Sequence, residues 1–153
     1  MSAVELVELD SRPLAVVRSI VELDGLPDFL GRAFGAVIGE TEQQGVQLAG
    51  EPIAFYLRPP SDEVEMAAGF PVVGTFVPTG DVVPMDLPAG RAVTTIHVGP
   101  YDTMSRTYAS LRDWMAAEGL TPGGTMWEVY LTDPDTEPDP ATWRTRIVWP
   151  VMS

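Results

Sequence analysis

The pattern of hydrophobic and polar positions in the first half of the chain predicts a strand followed by a helix. The segment Glu5–Ile20 is rich in β-branched residues, which favours a strand. Pro27 and Asp28 are typical of a first helical turn. Apolar residues then recur at spacings of one, three and four as far as Gln44, and Gly45 marks the end of the predicted helix.

Further apolar segments predict strands in both halves. Pro52–Leu57 and Val64–Val73 form a predicted hairpin, joined through the Pro-Pro-Ser-Asp sequence at 59–62. In the second half, strands are predicted at Ala92–Val98, Met126–Leu131 and Thr142–Val151, with a second helix between the first two of these.

The second half repeats the order of the first. Shifted by 74 positions, the chain matches itself over 33 residues without a gap, with identities at the helix starts, the helix ends and one strand. The identical pairs are Gly25/Gly99, Asp28/Asp102, Arg32/Arg106, Gly45/Gly119, Gly50/Gly124, Tyr56/Tyr130 and Leu57/Leu131. Five extra residues in the acidic segment 133–140 then shift the offset to 79. We interpret residues 1–153 as a single domain with pseudo-repeats at about 5–80 and 81–153.

This repeat predicts the fold. Two strand-helix-strand-strand units bury their apolar faces best when their strands join one sheet and their helices cover the same side. We therefore predict an α+β fold, in which the duplicated units form one antiparallel sheet with two helices on one face. A pseudo-twofold axis should run between the halves, and a central groove on that axis is a favourable place for a ligand.

The predicted strand Met126–Leu131 contains an acid in apolar surroundings. Its residues alternate, so that Met126, Glu128 and Tyr130 point to one face and the remaining three to the other. Both faces are otherwise apolar or aromatic, as in a strand that is covered on both sides. Because an unpaired charge is costly in such a place, the carboxylate must be paired, protonated, close to water or available to a cation.

The duplication singles out the same acid, because Glu128 is the repeat equivalent of Ala54. A side chain needed for packing would be expected in both copies. An acid in one copy alone indicates a binding or catalytic role. The alternative is a structural ion pair with Arg144 or Arg146 from the strand that follows.

Composition narrows the functional classes. The chain has 22 acidic and 9 basic side chains and a net charge of −13, so direct nucleic-acid binding, which needs a basic face, is not expected. A negative field attracts cations, although the same charge also keeps a protein soluble. The absence of cysteine excludes disulfides and thiolate chemistry. With neither a signal-peptide pattern nor a long apolar run, we expect a cytoplasmic protein without membrane contact.

Other candidate sites are weaker. His97 is the single histidine and, in a strand, is more typical of a satisfied structural residue than of a base or ligand. The acids at 133, 135, 137 and 139 alternate as metal ligands do, but prolines interrupt them and the glycine and final glutamate of an EF-hand are missing. Gly123 and Gly124 predict a turn, because no phosphate-loop pattern follows. We expect neither a metal nor a cofactor.

Three segments resemble the GyrI-like small-molecule-binding domain family. They are Gly99–Asp102 at a helix start, Leu111–Trp114 within the helix, and Trp127–Leu131 followed by an Asp-Pro pair. This domain is also the effector-binding module of the BmrR multidrug regulator and of some AraC-type regulators. The resemblance covers nearly the whole chain and includes the duplicated topology. Those regulators carry a separate helix-turn-helix domain that this sequence lacks, so direct control of transcription is not expected.

The resemblance implies that Glu128 is the anionic contact for lipophilic cations and is surrounded by aromatic rings. The spacing of residues indicates which rings lie near this acid. Tyr130 points to the same face of the strand as Glu128, and Tyr56 is the repeat equivalent of Tyr130. Tyr101, Met104 and Tyr108 lie at i, i+3 and i+7, on one face of the second helix. The predicted ligand-binding residues are Glu128, Tyr130, Tyr56, Tyr101, Met104, Tyr108 and Trp149. For any single aromatic residue, and for Met104, core packing is the simpler alternative.

Two functions remain open, and the oligomeric state is not determined by the sequence. The first is a stand-alone protein that sequesters or senses amphipathic small molecules, often cationic or planar and aromatic. The second is a hydrolase, because the resemblance extends to proteins that open the cyclopropane ring of DNA-alkylating antibiotics. There Glu128 would activate water if burial raises its pKa, with Tyr101 or Tyr130 as a donor. A third, weaker alternative is a gyrase inhibitor whose acidic surface mimics DNA.

Overall fold

The computed structural model describes residues 3–58, 62–132 and 136–152. In these ranges the strands are β1 (Glu5–Leu9), β2 (Arg12–Glu22), β3 (Gln47–Leu48), β4 (Ile53–Tyr56), β5 (Glu63–Val73), β6 (Val82–Leu87), β7 (Gly90–Val98), β8 (Thr121–Pro122), β9 (Met126–Tyr130) and β10 (Arg144–Met152). The α-helices are α1 (Leu26–Gln44) and α2 (Met104–Ala117), and each directly follows a 3-10 turn, at Leu23–Gly25 and Tyr101–Thr103.

The strands form one antiparallel sheet in the order β1-β7-β10-β9-β4-β5-β2-β6, while β3 pairs with β5 and β8 pairs with β10. Both helices pack on the same face, because Ala33 of α1 and Leu111 of α2 belong to one buried cluster with Ala54 and Ile147 of the sheet. The predicted α+β fold, one antiparallel sheet with two helices on one face, is confirmed.

The predicted single strand Glu5–Ile20 is wrong. Asp10 and Ser11 interrupt it, β1 pairs with β7, and β2 pairs with β5 and β6. β-branched composition favours extended backbone but carries no information on which neighbour each half pairs with. Strand β6 also lies in a segment for which the hydrophobic pattern predicts no element.

The connection between β1 and β2 shows that the sheet curls. These strands lie at or next to opposite ends of the strand order, yet only two residues join them. Since each residue spans at most about 3.6 Å, the two ends of the sheet must lie close together. The curl buries the face opposite the helices, where Phe55 and Trp127 stack with ring centroids 5.6 Å apart. This is why β9 is apolar on both faces.

Helix α1 has the boundaries that its sequence dictates. Pro27 lies in its first turn, where a missing N–H costs nothing. Gly45 ends the helix in the left-handed conformation at φ 67°, which glycine adopts without steric cost. The buried face of the helix consists of Phe29, Ala33, Val37 and Thr41.

Strands β4 and β9 form the centre of the sheet, where the two halves of the chain meet. In their antiparallel register Ala54 lies opposite Glu128, and Phe55 lies opposite Trp127. Ala54 and Glu128 are also the residues that the 74-residue offset aligns, as expected for two copies related by a twofold axis between them. Glu128 therefore lies at the centre of the sheet, on the face that carries both helices.

Candidate functional site

A groove with a volume of about 930 Å³ lies on the helical face of the sheet, over the centre where β4 meets β9. Helix α1 supplies one wall through Leu26, Pro27, Leu30, Gly31, Phe34, Gly35 and Ile38. Tyr56, Glu128 and Tyr130 come from the central strands, and Tyr101 and Met104 from the start of the second helical segment. No described residue of the lining carries a positive charge.

Glu128 is the buried acid of this groove, with 7% of its surface exposed. The alternation along β9 points its side chain to the helical face, and its cross-strand partner Ala54 is too small to fill the space beside it. The carboxylate therefore occupies the point at which the apolar surfaces of both halves meet.

Three tyrosine hydroxyl groups donate hydrogen bonds to this carboxylate. Oε1 accepts from Tyr56 at 3.2 Å and from Tyr130 at 2.9 Å, and Oε2 accepts from Tyr108. A carboxylate offers about four acceptor positions. Hydroxyl groups of the described residues occupy three of them, which leaves one position for a ligand or a water molecule.

Burial raises the pKa of Glu128 above the ordinary glutamate value, and this effect dominates. The hydrogen bonds from the three tyrosines and the nearby imidazole of His97 act in the opposite direction. Burial and the adjacent carboxylate also raise the pKa values of Tyr56, Tyr108 and Tyr130. The three phenols therefore remain protonated and act as donors to the carboxylate.

The alternative of an ion pair with Arg144 or Arg146 is not found. Ile147 lies opposite Glu128, whereas Arg146 lies opposite Val129 and so points to the other face of the sheet. Arg144 is exposed at the start of β10. Within the described residues no ion pair includes Glu128.

The structure brings together most of the residues that the sequence predicts for the site. Tyr101 lies at the rim, 40% exposed, and its ring contacts the ring of Tyr130 edge-on at 5.8 Å. Tyr108 and Trp149 do not line the groove. Tyr108 lies behind Glu128, and the buried Trp149 packs edge-on against Tyr108 at 6.0 Å while its Nε1 donates to the carbonyl of Gly123.

Sequence reasoning missed the wall that α1 provides. Leu26, Leu30, Phe34 and Ile38 recur at a spacing of four, which places them along one line on the helix beside its buried face. Three glycines, at 31, 35 and 39, interrupt a helix in which each costs about 1 kcal/mol relative to alanine. Such unfavourable residues in a helix are the signal that could have revealed this wall.

The weaker candidates have structural roles. His97 is buried, with Nδ1 2.6 Å from the hydroxyl of Thr107 and Nε2 3.0 Å from the carbonyl of Pro100. In the acidic segment, residues 133–135 lie outside the described residues, and Asp139 accepts a hydrogen bond from the amide of Ala141. The part of the chain that is described contains no group of three or more histidine or acidic residues that could hold a metal ion. The turn at Gly123 hydrogen-bonds to β10.

Comparison with known proteins identifies the family and the fold. The model of the GyrI-like small molecule binding domain matches residues 2–152. The structure is similar to the C-terminal domain of EcmrR, with a TM-score of 0.84 and 24% identity over 100% of this chain and 99% of that chain. In the EcmrR–DNA complex the match covers 99% of this chain and 57% of the EcmrR chain, with a TM-score of 0.81 and 23% identity.

Two more distant structures share the fold. One is a hydrolase encoded by lin2189 from Listeria innocua, with a TM-score of 0.71 and 16% identity over 97% of this chain and 91% of that chain. The other is SAV2435 bound to tetraphenylphosphonium, with a TM-score of 0.62 and 15% identity over 99% of this chain and 94% of that chain. None of the curated proteins matches the sequence.

Among the described residues, neither helix has the length and apolarity needed to cross a membrane.

Proposed function

The chain belongs to the GyrI-like small-molecule-binding domain family, and on that premise we propose that it binds amphipathic cations in the groove, with Glu128 as their anionic contact. The observation that carries this proposal is a buried carboxylate that forms no ion pair with any described residue, in a groove whose other walls are largely apolar and aromatic. A ligand that brings its own positive charge supplies the missing partner.

The charge of Glu128 and the aromatic rings contribute different amounts of free energy to this binding. A cation about 4 Å from the carboxylate gains about 4 kcal/mol at an effective dielectric constant near 20. Each aromatic face within reach adds about 0.5–2 kcal/mol by cation–π attraction. Part of the first gain is offset, because burial disfavours the ionised form of Glu128. The carboxylate therefore selects for charge, while the rings and aliphatic walls supply affinity for apolar bulk.

A titration with a matched pair of probes tests this function. Methyltriphenylphosphonium carries the charge, and triphenylphosphine oxide has a similar size and shape without it. We expect Glu128→Gln to weaken binding of the cation by more than about tenfold and to change binding of the neutral probe by less than about twofold. The control is Glu8→Gln, which removes an exposed acid on β1 and changes the net charge equally.

The outcome that contradicts the proposal is an equal loss for both probes, because the carboxylate would then act through packing rather than charge. Repeating the wild-type titration at two salt concentrations adds a second criterion. A buried ion pair is screened much less by salt than the diffuse attraction of the acidic surface.

We infer hydrolysis of a strained electrophilic ring as a second candidate function. It is favoured by the free acceptor position on Glu128 and by the raised pKa of this carboxyl group, which suit acceptance of a proton from an attacking water molecule. Incubation with a cyclopropane-bearing DNA alkylator, followed by mass spectrometry, tests it. We expect a product that has gained one water molecule, and formation no faster than in buffer excludes this reaction for that substrate.

A further inference from the structure

Helix α1 contains glycine at positions 31, 35 and 39, although glycine is the least favourable residue in a helix interior apart from proline. The packing of the protein does not require these glycines. A Cβ atom added at any of the three positions meets no neighbouring heavy atom within 4 Å. Alanine would therefore fit each site and strengthen the helix.

Two of these glycines differ from the third in their surroundings. Gly31 and Gly35 line the groove, and Gly39 does not. At the repeat-equivalent positions of α2 the chain has Ser105 and Ala109, neither of which lines the groove. Gly31 and Gly35 are thus the two helix glycines at which a side chain would narrow the groove.

A second, independent feature indicates that this space receives a ligand. The carboxylate of Glu128 lines the same groove, is almost fully buried, and has no cationic partner within the described residues. The volume of about 930 Å³ is near the upper end of the range of about 300–1,000 Å³ that is typical of small-molecule pockets. A flat cation lying against the rings leaves much of that space unfilled.

We propose that Gly31 and Gly35 set the width of the groove and select bulky, three-dimensional lipophilic cations over flat ones. This inference rests on the proposed function, and it adds the shape of the ligand. A ligand with aryl groups in several planes reaches from Glu128 to the backbone of α1, and the absence of side chains at these two positions provides the clearance. The helix gives up stability in return for that space.

Alanine variants at the three positions distinguish the effect of groove width on ligand binding from the effect of alanine on helix stability. The probes are tetraphenylphosphonium, which is bulky, and 10-methylacridinium, which is planar. We expect Gly31→Ala and Gly35→Ala each to raise the Tm and to weaken tetraphenylphosphonium binding at least about fivefold, as overpacking of a filled space does. Binding of the planar probe should change less than about twofold. The matched control, Gly39→Ala, should raise the Tm and leave both affinities unchanged.

The inference is overturned if the double variant Gly31→Ala/Gly35→Ala binds tetraphenylphosphonium as tightly as the wild type, or if it loses both probes equally. Because all three substitutions favour the helix, misfolding does not account for a loss, and the Tm verifies this. If the wild type binds both probes and depends on Glu128 while the glycine variants are neutral, only this inference fails. If Glu128→Gln retains full affinity for both cations, the proposed function fails and this inference falls with it.

Discussion

Tyr56 and Tyr130 donate to the same oxygen of Glu128, Oε1, from the two central strands of the sheet. They are repeat equivalents, so the two halves of the chain approach the carboxylate with the same group. The third donor breaks the symmetry: Tyr108 of α2 bonds to Oε2, whereas its equivalent on α1 is Phe34, which lines the groove. Helix α2 thus contributes a donor to the acid, whereas the equivalent position of α1 contributes to the apolar wall.

Replacement of the acid should stabilise the protein at neutral pH. Burial raises the folded-state pKa of Glu128 above its ordinary value of 4.5, so the native state binds this proton more tightly than the unfolded chain does. The free energy of unfolding is therefore highest below pH 4.5, and it falls as the pH rises toward and through the raised pKa of the folded state. Glutamine cannot ionise, and tyrosine hydroxyls can both donate to it and accept from it.

We expect the free energy of unfolding of Glu128→Gln to equal that of the wild type near pH 4 and to exceed it at pH 8. The Tm of Glu128→Gln should therefore exceed the Tm of the wild type at pH 8, because only the wild type has to bury an ionised carboxylate there. Urea and thermal unfolding at both pH values measure the difference, with Glu8→Gln as the control. A Glu128→Gln variant that is less stable at pH 8 would falsify this account of the carboxylate.

Cation binding should release a proton from the protein. The bound cation requires ionised Glu128, whereas burial favours the protonated form at pH values below its raised pKa. The affinity for the cation should therefore rise with pH, by up to about tenfold per pH unit, as long as the pH is below the raised pKa. Calorimetry in two buffers of different ionisation enthalpy measures the released proton. Wild-type affinity that stays constant between pH 5 and pH 8 contradicts the prediction.

The three hydroxyl donors should contribute unequally to binding. Removing the hydroxyl group of Tyr108 takes away the only donor to Oε2 among the described residues and raises the pKa of Glu128 further. Because a hydrogen bond to a charged group contributes about 1.5–3 kcal/mol, Tyr108→Phe should weaken cation binding by roughly tenfold or more at pH 7. Tyr56, with its longer bond of 3.2 Å, should have the smallest effect. Loss of binding that does not recover at higher pH indicates a packing defect instead.

Glu51 provides a comparison between an exposed and a buried acid of the same groove. It lines the groove but is exposed to solvent. Because exposed ion pairs contribute about 0–1 kcal/mol, Glu51→Gln should weaken cation binding by no more than about fivefold, compared with more than tenfold for Glu128→Gln. Titration of both variants with methyltriphenylphosphonium decides the order. A larger loss at Glu51 would place the dominant charge contact at the rim.

The sequence predicted well those structural features that depend on residues close to one another in the chain. The limits of α1 follow from Pro27 and Gly45, because caps act within one turn of the chain. The alternation around Glu128 assigned the two faces of β9 because side chains alternate along any strand. Assigning Glu5–Ile20 to one strand failed because β1 and β2 pair with residues about 40–90 positions away along the chain. Such pairing is decided by non-local contacts and not by local composition.

The sequence by itself determined that the chain is duplicated in pattern, that one copy carries an acid where the other has alanine, and that aromatic residues accompany this acid. Only the tertiary structure decided that Tyr108 lies behind Glu128, that Arg146 points away, and that α1 provides the apolar wall. The physical reason is the distance along the chain over which each feature is determined. Side-chain periodicity is set by the local backbone, whereas the partner of a buried charge is set by which distant elements pack around it.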